Sequence, residues 1–219
     1  MKKVQSFDRS AGILMSVSSL PSPYGIGTFG KAAYDFVDFV SACNHRYWQV
    51  LPLGPTTYGD SPYQSYSAFA GNPYFIDLDI LVQDGLLFEN EVCTIQWSGH
   101  IEYVDYERIY NNRFAVLKSA FARFKNKLIE SKVKLAAGLP EYKRFDNFIK
   151  DNSDWLNDYS LFMALKGYFD NKSWWEWDDD IKRRTPEAVE KYSVCLSDEI
   201  EFWLSLIHIS EPTRRVVIS

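Results

Sequence analysis

The chain has 219 residues, enough for one good-sized domain, and with 46% hydrophobic and 16% aromatic residues it is composed to bury a core rather than stay disordered. A formal charge of −5 with no basic cluster argues against nucleic acid as a partner, whereas a neutral ligand needs no charge steering. Cys43, Cys93 and Cys195 lie far apart without a CxxC pair, so they read as reduced, structural thiols of a cytoplasmic protein, neither a disulfide frame nor a zinc site.

In chain order, MKKVQSFDRSAG has lysines but no apolar stretch after them. No window approaches the about 18 apolar residues of a membrane span, so neither secretion nor a membrane partner is expected. Gly12–Leu20 (GILMSVSSL) is a short apolar run stopped by Pro21 and Pro23, which predicts a buried parallel strand. Ala32, Ala33, Phe36, Val37, Phe39 and Val40 then recur at helical spacing within Lys31–Cys43, and Tyr47–Leu53 (YWQVLPL) predicts a second strand. Strand, helix, strand is one βαβ unit, the start of a parallel α/β sheet. Sites in such folds collect at the carboxyl ends of the strands.

The segment just past Leu53 lies at that end. From Trp48 to Asp77 the chain mounts Tyr58, Tyr63, Tyr66, Phe69, Tyr74 and Phe75 among Gly54, Pro55, Gly59, Pro62, Gly71 and Pro73. A Gly/Pro-punctuated loop holds flat amphipathic rings out from a scaffold, and sugars suit such rings because a pyranose has an apolar C–H face and a rim of hydroxyls. An ordinary βα connection closing over the core is the other reading. Tyr63, stiffened by Pro62 and flanked by Gln64, is placed to aim a phenol at a sugar. Tyr58 is placed as a stacking platform. Asp60 and Ser61 either bond sugar hydroxyls or make the turn that sets up Pro62. Trp48 is expected to pack in the core.

Beyond Ile76 the pattern turns helical. Helices are predicted over Tyr106–Lys134 and Leu139–Phe169, broken at Ala136–Pro140, with a surface stretch at Ser173–Val189 and a further helix starting at Ser197. Trp174, Trp175 and Trp177 offer either a second sugar platform or packing. His45 is a poor catalytic candidate. His100 has no ligand partner at metal spacing, and GIGTFG at Gly25–Gly30 matches GxGxxG by accident.

LPLGPTTYGDSPYQSYSAFAGNP at Leu51–Pro73, GILMSVSSLPSPYGIGTFGKAAYDFVDFV at Gly12–Val40 and DYSLFMALK at Asp158–Lys166 resemble the amylomaltase/4-α-glucanotransferase family, glycoside hydrolase family 77, in one register from Arg9 to Trp203. The resemblance implies the N-terminal part of a (β/α)8 TIM barrel with a mostly helical inserted subdomain, the barrel incomplete in this chain. It implies residues 1–77 as the first two βα units with the substrate loop, 78–190 as the insert, and 191–203 as the start of the next barrel helix. Transfer of α-1,4-glucan segments between maltooligosaccharides follows, with no metal and no organic cofactor. The Tyr63 equivalent lines the donor subsite, and the equivalents of Tyr58 and Tyr110 share a secondary glucan groove. The nucleophile, acid/base and stabilising carboxylates are expected beyond Trp203, which leaves this chain inactive. A glucan hydrolase of the amylase clan and a non-catalytic glucan-binding module are the alternatives.

Leu204–Arg214, LSLIHISEPTR, matches the translation of a widely used transposase sequencing adapter, so 204–219 is expected to be foreign to the fold. A short amphipathic strand and turn is the other reading of SLIHIS. An open strand edge and an unfinished apolar layer would make such a chain prone to aggregate.

Overall fold

Strands β1 (Gly12–Leu14) and β2 (Tyr47–Gln49) pair in parallel, with Gly12 beside Tyr47, Ile13 beside Trp48 and Leu14 beside Gln49. Helix α1 (Lys31–Ala42) connects them. The computed structural model describes residues 9–57, 59–100, 102–133 and 140–218, with side chains other than 131–142 and 211–218. Trp48 packs as expected: its ring meets Phe36 of α1 edge-on at 4.9 Å, and its Nε1–H donates to the Met15 carbonyl at 2.9 Å. Both strands are shorter than the apolar runs predict. After Met15 the Ser16 and Ser18 hydroxyls bond each other, and Val17–Ser19 coils into a 3-10 turn that diverts the backbone from the ladder. The exposed sides of Leu14 and Tyr47 leave this small sheet open.

The remaining elements are helical: α2 (Leu78–Gln83), α3 (Glu89–Cys93), α4 (Tyr106–Val133), α5 (Pro140–Asp151), α6 (Leu156–Tyr168), α7 (Asp179–Lys182), α8 (Pro186–Cys195) and α9 (Ser197–Ile218). Helix α4 falls where the spacing of Phe114, Leu117, Phe121, Phe124 and Leu128 puts it. The single helix predicted over Leu139–Phe169 is instead two, because Asn152 folds its side-chain amide back onto the Phe148 carbonyl and Trp155 N–H bonds Asn152. SLIHIS is no strand. Phe202 and Trp203 stand four residues before Leu206 and Ile207, so the apolar face of α9 runs on through the segment and all four are buried. No helix among the described residues is long and apolar enough to cross a membrane. The three cysteines are free and exposed, not packed inside.

One buried cluster joins the turns after β1 to α2, α4, α6 and α9, and a second packs Leu161 and Leu165 of α6 against Trp177, Ile181 and Tyr192. Inside the first sits Arg113 of α4, wholly buried, whose Nη2 donates to the carbonyls of Tyr74 and Ile76. Burial pushes its guanidinium down to about 10, opposed by the nearby Asp77 carboxylate. Asp77 caps α2 through the Ile80 N–H and accepts the Thr28 hydroxyl. Gly30 is glycine for this reason: a Cβ there would fall 1.8 Å from the Asp77 carboxylate. The glycines of GIGTFG are thus packing positions.

Replacing Arg113 by Met removes the counter-charge while leaving Asp77 and two carbonyls buried, and is expected to lower unfolding stability by about 3–5 kcal/mol, read as a drop in the urea midpoint. His208 of α9 gives a pH prediction. Its ring sits among Phe124, Phe145 and Phe148, and burial, with Arg144 adding, pushes it down to about 4. The unfolded chain then binds the proton more readily, so this contribution is complete above about pH 6.5 and lost as pH falls toward 4. A His208→Leu chain should show a flatter urea midpoint between those pH values; an unchanged slope would reject the assignment.

Candidate functional site

Asn72 N–H donates to the Leu53 carbonyl at 2.9 Å and closes the base of the aromatic loop. Within it Thr56 and Ser65 form an antiparallel bridge, and two turns fill the hairpin: Asp60 N–H to the Thr57 carbonyl at 3.1 Å, and Gln64 N–H to Ser61 at 3.0 Å. Gly54 allows the return strand to come close, since a Cβ there would lie 2.5 Å from Ser65 Oγ. Ser67 Oγ then accepts from the Phe69 and Ala70 N–H groups and sets the exit. Serines, glycines and prolines therefore spend their chemistry on shaping the loop, and the rings are left to face outward.

Among the described rings Tyr63 is the most exposed, at 74%. Tyr66 leans on Phe162 of α6 with centroids 5.6 Å apart, and Phe69 stacks on Trp155 at 5.6 Å and 29°. Tyr74 and Phe75 instead turn into the core. Ser61 Oγ accepts the Tyr63 N–H at 3.4 Å, and Gln64 is exposed beside it. Asp60 is a turn residue: its φ is 53°, and its carboxylate accepts the Thr56 hydroxyl at 3.2 Å. Burial raises that carboxyl above its ordinary range, and the Thr56 bond opposes the rise. Tyr58 lies outside the described residues.

Tyr110, half exposed on α4, sets its ring edge-on to Phe114 and accepts a hydrogen bond from Asn171 Nδ2 at 3.2 Å. It stands close enough to Tyr66 and Tyr74 to raise both phenols, after burial has done most of the work. Asp60 acts the same way on Tyr74 and Tyr106. The buried Tyr74 ring meets Tyr106 at 6.4 Å and Phe114 at 5.9 Å, and Phe114 meets Tyr110 at 5.9 Å, so these rings run from the core out to the half-exposed Tyr110. No contact between Tyr63 and Tyr110 occurs among the described residues. Tyr106 was legible as the i−4 neighbour of Tyr110 on one helix face. Nothing local marks the approach of Tyr66, or of Lys166 and Asn171 behind it. Trp174 and Trp175 are exposed and Trp177 is buried, while His100 stacks on Tyr103 at 4.5 Å. Among the described residues no group of three or more His, Cys, Asp or Glu is arranged to hold a metal ion.

A family model described as 4-alpha-glucanotransferase matches residues 15–210. The chain belongs to the 4-alpha-glucanotransferase family. Among members, the 4-alpha-glucanotransferase of Clostridium butyricum is 48% identical over 189 residues, 86% of this chain and 36% of that protein. That of Thermus thermophilus is 42% identical over 194 residues, 89% of this chain and 36% of its own. The solved structure of amylomaltase from Streptococcus agalactiae in complex with acarbose matches with a TM-score of 0.86 at 36% identity, covering 96% of this chain and 40% of that one. The chain therefore spans little more than a third of the length of these family members.

If Asp60 serves the turn, Asn, which also tolerates a left-handed backbone, should replace it with stability held within about 0.5 kcal/mol. Asp60→Val, β-branched at positive φ, should cost about 1–2 kcal/mol. Equal urea midpoints for the two variants would contradict the turn assignment.

Proposed function

We propose that the full-length protein to which this chain belongs is a 4-α-glucanotransferase that moves an α-1,4-glucan segment onto the 4-hydroxyl of an acceptor glucose or maltooligosaccharide. The observation that carries the reading is the stiff loop after β2, which presents Tyr63, Tyr66 and Phe69 outward. Stacking rings with hydroxyls and a carboxylate between them is a surface for neutral sugars. Membership of the family and the likeness to an acarbose-bound amylomaltase support the same substrate class.

In this reading Tyr63 lines the donor site and Ser61 and Gln64 meet its hydroxyls, while Tyr110 and Tyr58 stack on a second stretch of glucan. Asp60 shapes the hairpin and keeps an acceptor near the phenols. The two parallel strands with α1 between them are the opening of a (β/α)8 barrel, and the loop sits at the carboxyl ends where barrel sites form. The chemistry is a double displacement. A carboxylate attacks the anomeric carbon as a second carboxyl group protonates the leaving 4-oxygen; that group then takes the proton of the acceptor 4-hydroxyl as it attacks and releases the enzyme. The pair must stand about 5–5.5 Å apart. No acid of this chain is assigned to either role, so the binding loop and the catalytic carboxylates lie on different parts of the full protein. No metal or organic cofactor enters the scheme, and the protein works in the cytoplasm.

Incubated with maltotriose, the full-length protein is expected to give a ladder of longer glucans, and the 219-residue chain to give no product. Glucose and maltose without a ladder would make it a hydrolase, and saturable binding without turnover would make it a binding module. Tyr63→Ala in the full-length protein is expected to lower kcat/KM for maltotriose about tenfold. Turnover by the purified, monomeric 219-residue chain would overturn the assignment of the carboxylates elsewhere.

A further inference from the structure

Helix α6 ends in an uncommon way. Asp170 and Asn171 follow it in succession at φ 51° and 59°, and Asn171 N–H returns to the Lys166 carbonyl at 2.7 Å. Two non-glycine residues in the left-handed region need support from outside the turn. Lys166 supplies it. Its side chain is only 7% exposed, and its ammonium donates to the carbonyls of Asn171 at 2.5 Å and Lys172 at 2.9 Å. The same ammonium lies 5.7 Å from the centre of the Tyr66 ring. From the other side Trp177 stacks on Phe169 at 5.4 Å and donates its Nε1–H to the Lys172 carbonyl.

The turn so held aims one group at the aromatic patch. Asn171 Nδ2 donates to the Tyr110 phenol oxygen at 3.2 Å, across 61 residues of sequence. A phenol that accepts from an amide on one side keeps its own O–H free to donate on the other. Tyr110 is half exposed there. We infer that Asn171, fixed by Lys166, is a positioning residue that commits the Tyr110 phenol to donating a hydrogen bond to a glucan hydroxyl. Lys166 therefore ties the loop tyrosine and the helix tyrosine to one turn. The inference rests on the glucan-binding reading of Tyr110.

The test uses the full-length protein titrated with maltoheptaose, with turnover of maltotriose followed separately. Asn171→Asp keeps the size and the tolerance for a left-handed backbone but replaces the donor by an acceptor, so the phenol turns its proton inward. Asn171→Asp and Tyr110→Phe are each expected to raise the Kd for maltoheptaose about three- to tenfold with melting temperature unchanged, and the double variant to be no weaker than either single one. A wild-type Kd in Asn171→Asp, or two effects that multiply, would overturn the positioning role. If Asn171→Asp proves unstable, Tyr110→Phe still decides, because loss of the phenol oxygen without loss of affinity rejects the bond. Absence of a transfer ladder from the wild type would instead strike the proposed reaction and leave the binding comparison standing.

Discussion

A buried guanidinium holds this structure together. Arg113 comes from the N-terminal third of α4, yet both carbonyls it reaches, those of Tyr74 and Ile76, belong to the stretch that leaves the aromatic loop. A charge without access to water is costly unless it is neutralised and its N–H groups find acceptors. Here the nearby Asp77 carboxylate favours the charged form and the Trp97 ring lies 5.7 Å away, while only Nη2 of the guanidinium finds hydrogen-bond acceptors. Asp77 is itself committed to the first turn of α2 and to Thr28 in the loop before α1. The loop before α1, the stretch from Tyr74 into α2, and α4 therefore meet around Arg113 and Asp77.

The site inherits its rigidity from that junction. With Tyr74 to Asp77 fixed, the far end of the loop is set, and the Asn72–Leu53 hydrogen bond sets the near end. Between the two anchors Phe69 stacks on Trp155, and Tyr66 rests on Phe162 under the Lys166 ammonium. Ordering a mobile loop opposes binding, so a loop already ordered leaves more of the stacking energy for the ligand. Tyr63 protrudes from a frame braced on several sides.

Much of the architecture could be read from one-dimensional patterns. The apolar positions of α1 and α4 repeat at three and four residues, and the loop declares itself through Gly and Pro. The limits show where local and tertiary demands compete. Gly12–Leu20 has the composition of a longer strand, but its serines bond one another where β2 offers no further partner. Leu139–Phe169 has continuous helical character, yet Asn152 takes back a helix carbonyl and starts a new axis. SLIHIS has β-prone residues, and it is helical because Phe202 and Trp203 carry the apolar face straight into Leu206 and Ile207.

Asp60 shows the same division within the site. The sequence allowed a sugar ligand or a turn residue, and the structure gives Asp60 a φ of 53° with the Thr56 hydroxyl on its carboxylate, the geometry of a turn. What the sequence determined by itself was the order of strand, helix, strand and helices, and the loop with its aromatic residues at the carboxyl end of the second strand. Helix periodicity and Gly/Pro backbone limits act over a few residues, so a string of letters contains them. Only the tertiary structure decided that Arg113 would lie buried against the Tyr74 and Ile76 carbonyls, that the Lys166 ammonium would reach the Tyr66 ring, and that Asn171 would bond Tyr110. Those contacts lie tens of residues apart and exist because burial brings their helices and loops together, where a polar group excluded from water gains most from a partner in another segment.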